Sequence, residues 1–191
     1  MNDYIKMLSE QDKLSISISP NRWQFEENPY IISGPCSVES EEMIVDWAQK
    51  MKRVGVNALR GGAYKPCTYP ITKEVGSNGW KEGLREDGLR FLKTAREETG
   101  LPIVSEIMDA YQITGSTMDC IDIVQVGTRN FQNYTLLDAL GELDVPILLK
   151  RGTWGTIDEI LGAVERILVG GNEKVAICLR GVVGMPSYRH V

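Results

Sequence analysis

The stretch PILLKRGTWGTIDEILGAVERIL, residues 146–168, decides the fold. It begins with a short apolar run, passes through a glycine-containing turn and continues as an amphipathic helix that Thr156 can cap. Gly170 and Gly171 follow as a stop signal for this helix. A strand, a turn and a helix in this order make one βα unit, and a succession of such units forms a parallel sheet. The stretch therefore predicts an α/β fold.

The same order of apolar run, turn and helix recurs from residue 30 onward. The predicted strands are short, apolar and bounded by Gly, Pro or Asp, as expected for strands buried on both faces. They are Tyr30–Ser33, Asn57–Arg60, Pro102–Glu106, Ile121–Gly127, Pro146–Lys150 and Val175–Arg180. Helices are predicted over Glu41–Arg53, Glu86–Thr99 and Thr156–Leu168, with Ser40 as a candidate cap and Gly100 as a stop. This gives about six βα units.

Alternation of strands and helices does not by itself separate an open doubly wound sheet from a (β/α)8 TIM barrel. The positions of the polar residues separate the two folds, because a polar residue follows the end of one predicted strand after another. They are Cys36, Arg60, Lys65, Glu106, Arg129, Lys150 and Arg180. In a barrel many strands contribute to a site at their carboxyl ends, whereas in an open sheet only strands beside the switch point do so. The pattern favours the TIM barrel family, with only about six of its eight units present.

Residues 1–29 are predicted to be an N-terminal extension, and residues 30–191 a partial barrel that forms the catalytic domain. The segment SISISPNRWQFEENP, residues 15–29, alternates in polarity around a Pro-Asn turn. This pattern predicts a short hairpin, which we expect to plug the bottom of the barrel.

The composition of the 191 residues excludes several functional classes. A net charge of −5 argues against general nucleic-acid binding, and no apolar run approaches the ~20 residues that span a bilayer. No signal peptide is visible, so we expect a cytoplasmic protein whose four cysteines are reduced. No membrane or nucleic-acid partner is expected.

The charges at the strand ends point to the kind of ligand. Several cations are predicted to converge there, yet Glu106 is the one carboxylate among these positions. Unpaired charges at buried strand ends are costly, so a structural network of salt bridges would require more acidic partners. Arg and Lys bind phosphate and carboxylate groups. A phosphorylated, polyanionic substrate is therefore favoured over a structural salt-bridge network.

Five motifs occur in order at these strand ends: YIISGPCSVES (30–40), NALRGGAYKPCTYP (57–70), LPIVSEIMD (101–109), DIVQVGTRNFQN (122–133) and PILLKRG (146–152). Together they resemble 3-deoxy-D-arabino-heptulosonate 7-phosphate (DAHP) synthase, over about residues 30–181. The short bacterial and archaeal type, related to the 3-deoxy-octulosonate 8-phosphate synthases, is the more similar. The resemblance implies a metal-dependent aldol-type transferase that condenses phosphoenolpyruvate with erythrose 4-phosphate and releases phosphate. This reaction is the first step of the shikimate pathway, which leads to the aromatic amino acids.

The resemblance also implies roles for individual residues. Cys36 matches a ligand of a divalent metal, which would be Mn, Fe, Co or Zn. Lys65 matches a candidate general acid, and Glu106 an acid that holds the attacking water. Pro66 and Thr68 match the loop that meets erythrose 4-phosphate. The residues that match phosphoenolpyruvate contacts are Arg60, Lys65, Arg129, Lys150 and Arg180.

Further expectations concern completeness and side-chain direction. The other metal ligands of the family follow the sixth strand, so the chain is expected to be truncated and inactive alone, and a dimer or tetramer when full length. Cys67 stands where the commoner motif has arginine. Alternation favours Lys150 over Arg151 as the inward cation, and Asn130 and Asn133 are interpreted as helix caps.

Two alternatives to the DAHP synthase reading stay open at this point. One is an inactive barrel fragment that acts as a binding or assembly partner. The other is a related synthase that uses another acceptor sugar, of the 3-deoxy-octulosonate 8-phosphate type.

Overall fold

A computed structural model describes residues 15–18, 21–24, 29–67 and 83–181. In these ranges the chain forms eight strands and five α-helices. The strands are β1 (Ser15–Ile18), β2 (Asn21–Gln24), β3 (Ile32–Ser33), β4 (Ala58–Arg60), β5 (Ile103–Glu106), β6 (Ile123–Val126), β7 (Ile147–Lys150) and β8 (Val175–Cys178). The helices are α1 (Glu41–Arg53), α2 (Glu86–Thr99), α3 (Gly115–Met118), α4 (Tyr134–Gly141) and α5 (Ile157–Val169). Two 3-10 turns cover Ala110–Gln112 and Thr128–Asn130.

The predicted N-terminal hairpin is present. Strands β1 and β2 pair antiparallel, with Ser15 opposite Gln24 and Ile18 opposite Asn21. Its position at the bottom of the barrel and the domain boundary at residue 29 stay predictions.

The other six strands form one parallel sheet in the sequential order β3-β4-β5-β6-β7-β8. Right-handed crossovers between neighbouring parallel strands place every intervening helix on the same face of the sheet. A doubly wound sheet needs a reversal of strand order to cover both faces, and this sheet has none. The sheet is therefore part of a (β/α)8 barrel wall, which confirms the predicted fold class.

Local sequence explains where the long helices begin and end. Ser40 caps α1 by accepting a hydrogen bond from the Met43 backbone N–H. Thr156 and Glu159 form a reciprocal capping box at the start of α5. Gly100 ends α2 in the left-handed conformation, with φ of 70°. These signals are local, so the predicted bounds of α1 and α2 are confirmed and α5 differs by one residue at each end.

The strands are shorter than predicted, and two prolines account for part of the difference. Pro102 and Pro146 lack an N–H and precede β5 and β7, although their carbonyl oxygens accept hydrogen bonds from Leu59 and Val124. Helix α4 was missed as a helix, but its cap was anticipated because the Asn133 side chain accepts from the Leu136 N–H. Asn130 is not a cap, since it is the last residue of a 3-10 turn.

Two hydrophobic clusters lie on opposite faces of the sheet. The larger one fills the space between strands and helices and includes Leu59, Leu92, Val124 and Ile160. On the barrel-interior face a smaller cluster forms what we call the apolar layer: Ala58, Val104, Ile123, Leu148 and Ala176. Two residues further along the same strands, and so on the same face, is the polar layer: Arg60, Glu106, Gln125, Lys150 and Cys178.

In the part of the chain that the structure describes, no helix is long and apolar enough to cross a membrane.

Candidate active site

A cavity of about 510 Å³ opens beside the polar layer, within the usual range of small-ligand sites. Its walls come from five of the six barrel strands and the loop after β3. The lining residues are Tyr30, Ile32, Ser33, Gly34, Arg60, Gln125, Leu148, Lys150, Ile177 and Cys178. The register explains this convergence, because Lys150 pairs with Cys178 across β7 and β8, and Gln125 with Leu148 across β6 and β7. The cavity lies at the carboxyl ends of parallel strands, where the candidate residues were expected to converge.

Two of the predicted cations, Arg60 and Lys150, line this cavity together. Burial lowers the pKa of the Lys150 ammonium, and the positive charge of Arg60 lowers it further. Within the described residues, no carboxylate forms a salt bridge with either side chain. Two like charges on the wall of one cavity repel each other, and an anion bound between them would relieve this repulsion. The arrangement favours an anionic ligand over a structural salt-bridge network.

Glu106 is the carboxylate of the polar layer, and its side chain is buried. Burial raises its pKa, although a hydrogen bond from Gln125 and the positive charges of Lys150, Arg60 and Arg129 act in the opposite direction. Its Oε2 atom accepts from Gln125 at 2.9 Å, whereas Oε1 is buried and has no hydrogen-bond partner among the described residues. A carboxyl group with a raised pKa and an unused acceptor oxygen is suited to acid–base chemistry.

Cys36 follows β3 on an exposed loop, next to Arg60 and Lys65. Partial burial acts to raise the pKa of its thiol, but hydrogen bonds and positive charge from Lys65 and Arg60 outweigh burial and lower it. Arg60 also approaches the Pro35 carbonyl oxygen, at 3.5 Å. The GPCS motif and the RGGAYK motif are therefore brought together, as the sequence predicted. The thiolate, which is the form that binds metals and reacts with electrophiles, is favoured at Cys36.

This environment predicts that Cys36 is alkylated at neutral pH about tenfold or more faster than Cys120. Cys120 is the matched control, because it is buried and burial raises the pKa of its thiol. Iodoacetamide labelling with peptide mapping by mass spectrometry measures both rates in one sample. Lys65→Met should slow labelling of Cys36 and leave that of Cys120 unchanged. Faster labelling of Cys120 would show that Lys65 stabilises the fold, because opening of the chain exposes this buried thiol, and unchanged labelling of Cys36 would contradict the prediction.

The remaining predicted residues lie at the rim. Arg129 donates to the Pro66 carbonyl oxygen at 3.4 Å, so the turn after β6 contacts the loop after β4. Arg180 donates to the Thr128 hydroxyl at 2.7 Å and joins the segment after β8 to the same turn. Both arginines are exposed, in contrast to Lys150. Thr68 lies outside the described residues.

Arg151 and Lys150 point in different directions, as alternation predicted. Lys150 faces the cavity, whereas the buried guanidinium of Arg151 donates to backbone carbonyl oxygens. Its Nη1 reaches Gly152 at 3.1 Å and Gly155 at 2.6 Å, and its Nη2 donates to the carbonyl of Arg180. Arg151 therefore ties the loop after β7 to the segment after β8, and it is not a ligand-binding cation.

The sequence-based prediction missed two residues of the polar layer, Gln125 and Cys178. Both face the cavity, and Gln125 bonds directly to Glu106. The alternation of side chains along a strand indicates that both residues face inward. Gln125 lies two positions after the apolar Ile123, and Cys178 lies two positions after Ala176. Within the strands themselves only charged residues were selected as candidates, so the neutral Gln125 and Cys178 at equivalent positions were overlooked.

The residues fit one ligand position of a metal site. A thiolate-favouring Cys36 at a strand end suits a soft or borderline divalent metal. No group of three or more His, Cys, Asp or Glu within the described ranges could hold a metal ion. The described residues thus do not by themselves form a complete metal site.

The sequence of the chain is similar to those of known proteins. The sequence model described as the DAHP synthetase I family matches residues 18–190. A phospho-2-dehydro-3-deoxyheptonate aldolase of Thermotoga maritima is 41% identical over 152 residues, which are 80% of this chain and 42% of the relative. A 2-dehydro-3-deoxyphosphooctonate aldolase of Syntrophotalea carbinolica is 28% identical over 151 residues, 79% of this chain and 54% of that protein.

Solved structures agree with the sequence relatives. The crystal structure of the Thermotoga maritima phospho-2-dehydro-3-deoxyheptonate aldolase (DAHP synthase) superposes with a TM-score of 0.78 and 36% identity, covering 91% of this chain and 48% of that one. A truncated form of the 3-deoxy-D-arabino-heptulosonate 7-phosphate synthase from the same organism gives a TM-score of 0.76 and 33% identity, covering 93% and 60%. The chain thus spans about half the length of the proteins that it matches.

Proposed function

The chain belongs to the DAHP synthetase I family, and on this premise we propose that it forms part of an enzyme that condenses phosphoenolpyruvate with erythrose 4-phosphate. The products are DAHP and inorganic phosphate. The observation that carries the proposal is the cavity whose walls hold Arg60 and Lys150, with no carboxylate of the described residues in salt-bridge contact with either. Such a cavity attracts a small molecule with several negative charges, and phosphoenolpyruvate carries a phosphate and a carboxylate.

In this proposal the cations hold the two charged groups of phosphoenolpyruvate. Arg60 and Lys150 bind from inside the cavity, and Lys65, Arg129 and Arg180 bind from its rim. Arginine can grip a phosphate or carboxylate with two parallel hydrogen bonds, whereas lysine acts as a point charge. The cations repel one another while no anion is bound. A bound anion relieves this repulsion, and the relief contributes to its affinity.

Glu106 is proposed to act on the water that attacks the substrate. In the condensation, C3 of phosphoenolpyruvate bonds to the aldehyde carbon of the sugar, and water adds to C2 before phosphate leaves. The water must lose a proton, and a carboxylate whose pKa is raised by burial is a better proton acceptor near neutral pH than an exposed one. Lys65 is proposed as the general acid. It would deliver a proton where the enol of phosphoenolpyruvate meets the aldehyde of the sugar.

Members of this family generally depend on a divalent metal, and we propose Cys36 as one of its ligands. When bound, such an ion would polarise the aldehyde as a Lewis acid. Cys36 would hold it as a thiolate, a form that Lys65 and Arg60 favour. Mn, Fe, Co and Zn are compatible with a thiolate in a mixed ligand set. Pro66 and Thr68 are proposed to meet erythrose 4-phosphate.

The proposal is tested first by binding. Calorimetric titration of the chain with phosphoenolpyruvate should give one site with a Kd below about 1 mM, the common range for enzyme substrates. Pyruvate and inorganic phosphate, each carrying only one of the two anionic groups, should bind at least about tenfold more weakly. Equal affinity for all three ligands would contradict the proposed two-group recognition.

A second measurement separates the acceptor sugars. Phosphate release by a protein of the relatives' full length that contains this chain should be followed with phosphoenolpyruvate, Mn²⁺ and either erythrose 4-phosphate or arabinose 5-phosphate, because the chain is expected to be inactive alone. Release that requires erythrose 4-phosphate supports the heptulosonate reaction, in line with the higher identity to the heptonate aldolase than to the octonate aldolases. Release with arabinose 5-phosphate alone would assign the octulosonate reaction.

A further inference from the structure

Gln125 occupies a position between Glu106 and the cavity. Strands β5 and β6 pair in parallel with Glu106 directly opposite Gln125, so both side chains point into the barrel interior. Gln125 lines the cavity, whereas Glu106 is not among the lining residues. The Gln125 amide therefore lies between the buried Glu106 carboxyl group and the cavity in which a ligand would bind.

The two ends of the Gln125 amide have different surroundings. Its Nε2 atom donates to Glu106 Oε2 at 2.9 Å, and its Oε1 atom is buried and accepts no hydrogen bond from any residue that the structure describes. Both residues are buried, with exposed fractions of 2% for Gln125 and 6% for Glu106. A buried acceptor oxygen without a partner is costly, so its presence points to a donor that binds there in the working protein. A phosphate or carboxylate oxygen cannot donate, but a water can.

We propose that Gln125 is a positioning residue, which orients the Glu106 carboxylate through its N–H group and aligns the attacking water through its carbonyl oxygen. The inference rests on the proposed function, because it concerns the water of that reaction. The N–H group also stabilises the charged form of Glu106, as a hydrogen bond to a carboxylate does. Gly127 completes the arrangement, because a Cβ atom at this position would lie 2.0 Å from Glu106 Oε1.

Other groups also act on Glu106 and must be held constant. Lys150 faces it from β7, Arg60 from β4 and Arg129 from the turn after β6, and all three favour its ionised form. The test therefore changes only the amide. Gln125→Met removes the hydrogen bond at similar side-chain length, and Gln125→Asn keeps an amide that is too short to reach the carboxylate.

The decisive readout is the titration of Glu106, followed by ¹³C NMR of glutamate carboxyl carbons, with Glu106→Gln identifying its signal. In both Gln125 variants the midpoint should move to higher pH by about one unit, because a stabilising contact of the ionised form is lost. Affinity for phosphoenolpyruvate, measured at a fixed pH near 7, should change less than about threefold, because the anion does not bind the carbonyl oxygen.

Gln112→Met is the matched control. Gln112 is also a buried glutamine, but its Oε1 accepts from the Met108 and Asp109 backbone N–H groups. It should lower stability without moving the Glu106 midpoint. An unmoved midpoint in both Gln125 variants would overturn the proposal. So would a loss of phosphoenolpyruvate affinity of tenfold or more, which would make Gln125 an anion ligand. If the unmodified chain binds no phosphoenolpyruvate, the proposed function fails, whereas the NMR titration still decides whether Gln125 controls Glu106.

Discussion

Lys150→Met is expected to weaken phosphoenolpyruvate binding by about ten- to a hundredfold, and to raise the free energy of unfolding of the ligand-free chain. A hydrogen bond to a charged group contributes about 1.5–3 kcal/mol, which accounts for the loss of affinity. The gain in stability follows from the pKa of Lys150, which burial and then Arg60 lower. A lysine whose pKa is lower in the folded chain destabilises that chain while it is charged. The gain should be on the order of 1 kcal/mol at neutral pH and disappear as the pH rises through the pKa of an unfolded lysine.

Calorimetry with phosphoenolpyruvate and urea unfolding without ligand measure the two effects separately. Lys50→Met is the matched control, because Lys50 is exposed on α1 and pairs with Asp46 one turn away. Exposed pairs of this kind contribute about 0.5 kcal/mol or less, so both readouts should hardly change. Lower stability of Lys150→Met with unchanged affinity would identify Lys150 as a structural cation and restore the salt-bridge interpretation.

Gly34→Ala is expected to destabilise the chain by about 3–5 kcal/mol and to abolish measurable binding of phosphoenolpyruvate. Gly34 has a φ of +148°, a conformation that residues with a side chain rarely adopt. A Cβ atom built there would lie 2.0 Å from the Arg60 carbonyl oxygen. That oxygen belongs to the backbone of β4, so it cannot move aside as the end of a side chain could. The substitution would push the GPCS loop away from the strand end that carries Arg60.

Gly162→Ala makes the same chemical change with the opposite expected sign. Gly162 lies within α5, and a Cβ atom there would meet nothing within 4 Å. Alanine in a helix is more favourable than glycine by about 0.5–1 kcal/mol, so this variant should be more stable. Urea unfolding of both variants gives the comparison. A Gly34→Ala chain as stable as the unmodified chain would show that the contact between the loop and β4 relaxes freely.

The sequence allowed the fold class to be predicted, together with two cations of the candidate cavity, Arg60 and Lys150, because the relevant signals are local. Ser40, Gly100 and Thr156 mark helix ends within a few residues of the chain. The charged residues after each strand needed only the rule that carboxyl ends of parallel strands meet on one side. Helix α4 is short, with eight residues, and offered little periodicity by which it could be recognised.

The interactions that could not be predicted join residues far apart in sequence. Arg151 was read as the outward partner of Lys150, but the acceptors of its guanidinium include the Arg180 carbonyl, 29 positions further along the chain. The bond between Gln125 and Glu106 depends on the register of β5 and β6, which periodicity within one strand does not contain. Such contacts follow from the sheet as a whole.

The two layers of the barrel interior assign fold stability and ligand binding to different residues. Every strand from β4 to β8 contributes a small or aliphatic residue to one layer and a polar residue to the other, two positions later. A change of Val104 or Ile123 alters how well the wall packs, whereas the next inward position alters what the cavity binds. Mutation can therefore explore new ligands at one end of the barrel while the other end preserves the scaffold. A lineage of such barrels can diversify its substrates without rebuilding its core.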